Sequence, residues 1–154
     1  MSGLFRSWLK ALIEKEPPEL ANPIGTIIIG TLHPDIIGTA KEMVRKSLKT
    51  AQFKTIDVGE GASATTFVSK AKETNADIIV VTVNISAAKE NLLNLVSALE
   101  VEGLKGKVAV MIGGAAVTKE DADIIGALYG KTREAAVLLA KKTMEQKGTK
   151  PLTT

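Results

Sequence analysis

The chain has 154 residues, the length of one domain, and its 45% hydrophobic content is enough to bury a core. Aromatics are only 3%, so that core is built from Ile, Val, Leu and Ala, and the absence of cysteine excludes disulfides, thiolate metal sites and a cysteine nucleophile. The net charge of +3 (pI about 9.1) is spread as mixed signs with no basic run and few aromatics, which argues against nucleic acid.

Leu4 to Lys15 reads as an amphipathic helix. Leu4, Phe5, Trp8, Leu9, Leu12 and Ile13 recur at helical spacing, with Arg6, Ser7, Lys10, Glu14 and Lys15 opposite. Its stripe covers its own domain or closes a homodimer, and it has too few basic residues for a membrane-surface helix. Pro17 and Pro18 end it, and the linker runs to Pro23. The interrupted apolar pattern is not a secretory signal, and no run approaches a membrane span. A soluble, cytoplasmic protein is expected.

Gly25 to Thr31 is a β-branched strand of the kind buried on both faces. A loop follows with His33, the only histidine, then Pro34 and Asp35. A helix is expected over 36–51, with Asp35 as its N-cap and Ile36, Ile37, Ala40, Met43, Val44, Ser47 and Leu48 on one face. Phe53 to Val58 reads as a second strand, 59–62 as a turn, and Ser63 to Thr74 as a helix. Ala76 to Val83 is nearly all apolar, hence the central strand. A helix over 86–102 precedes a fourth strand, Lys107 to Ile112, which ends in Gly113-Gly114. Thr118 caps a short helix over 119–125, with Glu120 and Asp121 favourable in its first turn. Ala127 to Tyr129 is a short fifth strand, and a helix over 132–147 closes the domain (24–147), leaving a disordered tail over 148–154.

This alternation predicts an α/β, flavodoxin-like (Rossmann-like) doubly wound parallel sheet of five strands in the order 2-1-3-4-5. In such sheets ligands sit outside the carboxyl ends of the strands, here at Leu32 to Asp35, Asn84 to Ala87 and Gly113 to Val117. His33, as the one imidazole, reads as a metal ligand, a base or a solvated loop residue. Thr82 and Asn84 place a hydroxyl and an amide at the end of the central strand. The glycine pair either lets a ligand approach the backbone or makes a tight turn. No Walker loop, G-x-G-x-x-G, G-x-S-x-G, receiver-type acidic cluster or His-carboxylate cluster assembles, so an enzyme working alone is not expected.

Taken together, GTLHPDIIGTAKEMV, ADIIVVTVNIS and KVAVMIGGAAVT resemble the cobalamin (B12)-binding domains of methyltransferase corrinoid proteins and of methionine synthase, from about Gly25 to Lys142. That family's signature is D-x-H-x-x-G, then S-x-L and G-G. The resemblance implies that its histidine ligates cobalt from below, while a slot lined by the S-x-L strand and the glycine pair takes the nucleotide tail of the cofactor. In this chain Gly30 and Thr31 match, Asp35 takes the aspartate position, Ile37 the histidine and Ala40 the glycine. Thr82 takes the serine position and Asn84 the leucine, and Gly113 and Gly114 match in full. The implied cofactor-binding residues are His33, Asp35, Ile37, Thr82, Asn84, Gly113, Gly114 and Tyr129. Isoleucine cannot ligate cobalt, so the ligation is expected to be atypical and His-off, with His33 as the candidate for a relocated cobalt ligand. With only some twenty residues before the linker, the family's helical cap is expected to be absent. The expected function is a corrinoid carrier, sensor or subunit beside a methyltransferase partner. The alternative is a degenerate relative that no longer binds cobalamin and serves as a regulatory or interaction module.

Overall fold

A computed structural model describes residues 22–149. Strands β1 (Thr26–Leu32), β2 (Lys54–Ala62), β3 (Ile78–Thr82), β4 (Ala109–Gly113) and β5 (Leu128–Tyr129) form one parallel sheet in the order β2-β1-β3-β4-β5. The connections carry α1 (Thr39–Thr50), α2 (Ala64–Thr74), α3 (Glu90–Val101) and α4 (Lys119–Ile125), and α5 (Arg133–Thr149) follows β5. The expected flavodoxin-like order is the observed one. Every residue of β3 is buried, as a central strand with helices on both faces requires.

The alternation along the strands divides the core in two. Ile28, Leu32, Ile79, Val81 and Ile112 face Phe67, Leu92, Leu95 and Leu99 on one side. Ile27, Ile29, Ile78, Val80 and Met111 face Leu48, Ala136 and Ala140 on the other. With so few aromatics, Phe67 is the largest side chain completely withdrawn from solvent among the described residues. No helix among the described residues is long and apolar enough to cross a membrane.

Several expectations are corrected. β2 continues to Ala62, through the expected turn, because Gly59 and Ala62 still pair with Gly30 and Leu32 across register shifts. The helix expected from residue 36 begins at Thr39, with Gly38 as an N-cap that offers no side chain. Asp35 is therefore not its cap. The segment expected to be helical from residue 86 opens as a 3-10 turn, Ser86–Ala88, before α3. Thr118 does cap α4, in a capping box with Asp121. α5 runs to Thr149, two residues into the expected tail. The helix expected over 4–15, most of the linker and residues 150–154 lie outside the described residues.

The buried stripe of α1 is also not the apolar one. Lys41, Arg45 and Leu48 are buried, whereas Ile36 is 77% exposed and Ile37 and Met43 about half exposed. The extended β2 explains this. It carries Asp57 and Glu60 beneath α1, and Lys41 Nζ reaches them at 2.6 and 3.2 Å. Arg45 in turn donates Nε and an Nη to Glu42 at 3.1 and 2.8 Å. A cation pair four residues apart thus makes an ionic seam where an apolar seam was expected.

Candidate functional site

The carboxyl ends of β1, β3 and β4 bring the sequence-selected residues to one edge, as their register requires. The loop after β1 is fastened from both sides. Thr31 donates its hydroxyl to the Asp35 carbonyl at 2.5 Å and accepts the Gly61 N–H at 2.9 Å. Asp35 is completely buried. Its carboxylate accepts the Ile37 N–H at 3.0 Å, the Asn84 N–H at 2.6 Å, and the Asn84 side-chain amide at 3.2 and 3.4 Å. The same Asn84 amide donates to the Ile37 carbonyl at 2.9 Å. A buried carboxylate must be hydrogen-bonded, and this need draws Asp35 to the end of β3 and away from the start of α1. Ile37 is thereby held at the edge with its side chain half exposed.

A cavity of about 320 Å³ opens at the same sheet edge, on the α1/α5 side of the sheet. Val80, Met111 and Ala136 form its apolar wall, and Ala40, Met43 and Val44 of α1 the facing one. Ala40, Met43 and Val44 of the apolar stripe of α1 thus line a slot, while Leu48 of the same stripe packs in the core. Thr82 sits in this cavity with its hydroxyl buried and without a hydrogen-bond partner. Such an orphan costs free energy unless a ligand supplies the missing partner.

Gly113 and Gly114 line the same cavity. Their lack of side chains is required by backbone crowding. A Cβ on Gly113 would lie 2.4 Å from the Gly130 carbonyl oxygen. One on Gly114, whose φ is +113°, would lie 2.3 Å from that of Val83. Both glycines bring β4 against the chain on either side, and that close approach shapes the slot floor.

Of the selected residues, Thr82, Gly113 and Gly114 line the slot, Asp35, Ile37 and Asn84 form the hydrogen-bonded loop network outside its lining, and His33 and Tyr129 lie apart from both. His33 is exposed, and it lines a shallow recess with Ser63, Ala64, Thr65, Asn91 and Asn94 on the α2/α3 side. Its carbonyl accepts from the Asn91 side chain at 2.5 Å. Tyr129 packs against the core on the α3/α4 side. Sequence reasoning named Ala40 at the signature glycine but assigned neither it, Met43 nor Val44 to the slot, and it missed the rim residues Lys131 to Glu134. The helical spacing of the first three was legible; the rim emerges only once β5 places the start of α5 beside β4. No group of three potential metal-ligating side chains occurs among the described residues.

The B12 binding domain family model matches residues 25–140. Trimethylamine corrinoid protein 2 of Methanosarcina acetivorans is 38% identical over 136 residues, covering 84% of this chain and 63% of that protein. The chain thus spans about three fifths of this relative's length. Among solved structures, the monomethylamine corrinoid protein of Methanosarcina barkeri superposes with a TM-score of 0.75 at 23% identity, covering 88% of this chain and 64% of the other. The methanol:cobalamin methyltransferase complex MtaBC of the same organism gives 0.77 at 16% identity, covering 91% and 52%. At these identities the structures attest the fold.

Proposed function

This chain belongs to the B12-binding domain family, and on that premise we propose that it is a corrinoid carrier of a methyltransferase system that leaves the lower face of cobalt without a histidine from this chain. The observation that carries the proposal is the slot itself. It has apolar walls, a floor shaped by Gly113 and Gly114, and a buried Thr82 hydroxyl lacking a partner. An elongated apolar body with one polar edge fills such a space, and the nucleotide tail of a complete corrinoid is a group of that kind.

Each residue has a part in this reading. Thr82 supplies the tail with its hydrogen bond. Val80, Met111 and Val44 exclude water from it. Asp35, tied by Asn84, fixes the loop on which Ile37 stands, so an apolar side chain is presented where the resemblance expects a ligand. Methyl carriage at cobalt is the chemistry a corrinoid supplies when bound. With Ile37 at that place, this chain would offer cobalt no side-chain ligand there, and water or the cofactor's own base would have to supply one. The names of the relatives support a methyltransferase as partner.

The test is a cobalamin titration of the purified chain with its visible spectrum, beside His33→Ala. The expected result is saturable binding, with a spectrum that lacks histidine ligation and is indifferent to the substitution. Binding and a histidine-type spectrum that both vanish in His33→Ala would make His33 a relocated ligand. No binding at high micromolar cobalamin would leave the regulatory or interaction module as the function.

A further inference from the structure

A groove of about 450 Å³ opens at the amino-terminal end of the sheet, opposite the edge that holds the slot. Its cause is the shortness of β5. That strand pairs only with Met111 and Ile112, so the amino-terminal half of β4 has no neighbour on its outer edge among the described residues. Val108 and Val110 lie along this open edge and form the floor of the groove. Val96 of α3 and Ile125 of α4 wall one side, and Thr143 and Gln146 of α5 the other. Folded proteins cover an open strand edge with a helix or loop, and an apolar floor left to solvent marks a place where something packs.

The rim of the groove is basic. Lys105, Lys107 and Lys147 line it, and the first two are exposed. Lys105 reaches Glu100 at 3.7 Å and Lys147 reaches Asp77 at 3.0 Å, whereas the Lys107 ammonium makes no ion pair among the described residues. An occupant complementary to this groove carries an apolar stripe and carboxylates beside it.

The chain has such a segment outside the described residues. Leu4, Phe5, Trp8, Leu9, Leu12 and Ile13 make an apolar stripe at helical spacing, and Glu14, Glu16 and Glu19 follow it against Lys15 alone. The chain also enters the sheet close to the groove. The Ile24 N–H donates to the Gln52 carbonyl at 3.0 Å, and a Cβ on Gly25 would lie 2.8 Å from Met144 Sδ. Met144 belongs to the same turns of α5 as Thr143, Gln146 and Lys147, so only the width of that helix, about 10 Å, separates Gly25 from the groove. The linker from Glu16 to Pro23 reaches on the order of 25 Å when extended, and its prolines favour extension.

We infer that the apolar stripe of Leu4 to Ile13 seats in this groove of its own chain, with Glu14 to Glu19 crossing the lysine rim. The segment then covers the open edge of β4 and braces the foot of the sheet. It leaves the carboxyl edge, where the slot opens, uncovered. The inference does not depend on the corrinoid reading, because groove and slot lie at opposite ends of the strands.

Trp8 is the only tryptophan, so its emission reports on the segment directly. The experiment records the emission maximum and acrylamide quenching of the full chain over a range of protein concentrations, in wild type, Val96→Asp and Lys107→Glu, with a melting curve for each. The wild type is expected to show blue-shifted emission protected from acrylamide at every concentration. Val96→Asp should shift the emission to the red and abolish the protection. Lys107→Glu should lose part of it, as should the wild type in added salt. Lys107 is exposed, so its variant carries the test if Val96→Asp does not fold. Solvent-exposed Trp8 in the wild type would overturn the inference. Protection unchanged in the folded variants would seat the segment elsewhere and overturn it too. Protection that falls on dilution, together with a dimer-to-monomer change in sedimentation, would give the segment to a second copy of the chain and overturn its docking in cis.

Discussion

Ile37 and Asn84 act on one loop. With no histidine at position 37, the buried Asp35 carboxylate takes its hydrogen bonds from Asn84 and from the Ile37 backbone. A histidine introduced at 37 would stand beside a carboxylate whose partners are already assigned. Ile37→His is expected to strengthen corrinoid binding and shift the visible spectrum toward histidine ligation, and the double variant with Asn84→Leu to shift it further. A spectrum unchanged in both would show that the loop holds residue 37 away from cobalt. Thr82→Val separates stability from binding. It removes a buried hydroxyl without a partner, so the ligand-free protein should gain about 1 kcal/mol, or about 2–4 °C in melting temperature. Cobalamin affinity should fall at the same time. Loss of melting temperature would mean that the hydroxyl is satisfied in solution. Glu42 provides a pH test. The Arg45 hydrogen bonds lower its pKa from 4.5 to about 2, against a smaller opposing effect of burial. A depressed carboxylate stabilises the fold above its unfolded value, and that contribution fades as pH falls from about 4.5 toward 2. Melting temperature should drop over that window in the wild type and less steeply in Glu42→Gln. Parallel curves would assign the acid sensitivity to other groups.

At the scale of elements, α1 is where local pattern and tertiary placement diverge. Its apolar residues were legible at helical spacing, but helical spacing does not say what each stripe meets. The stripe through Lys41 and Arg45 meets the Asp57 and Glu60 carboxylates of a strand whose continuation past a Gly59 turn signal was not legible. The stripe through Ala40, Met43 and Val44 meets the slot. Lys41→Met is expected to destabilise the fold by about 1–3 kcal/mol by stranding Asp57 and Glu60 under α1, and denaturant midpoints check it. An unchanged midpoint would show that water replaces the lysine there. By contrast α4 follows its local signals, since Thr118 and Asp121 cap each other's backbone within four residues.

At the scale of the whole molecule, the sheet order places the slot on the α1/α5 side and His33 with the α2/α3 side, so the two candidate sites lie on opposite layers. The glycine pair shows the same dependence. Gly114→Leu reads in the sequence as a plug for the slot, yet its Cβ would strike the Val83 carbonyl oxygen. The variant is therefore expected to lose thermal stability as well as corrinoid binding, which a melting curve will show. The sequence by itself determined the strands, their order and the family, because β-branched runs, turn residues and the glycine pair signal through neighbours close in the chain. It also placed Asp35, Thr82, Asn84 and Gly113 at one edge, since parallel strands bring their carboxyl ends together. Only the tertiary structure decided which partner the buried Asp35 takes, which face of α1 is ionic, that the Thr82 hydroxyl has no partner, and that Lys131 to Glu134 rim the slot. Those outcomes rest on contacts between residues dozens of positions apart, where burial forces each polar group to find a partner or go without.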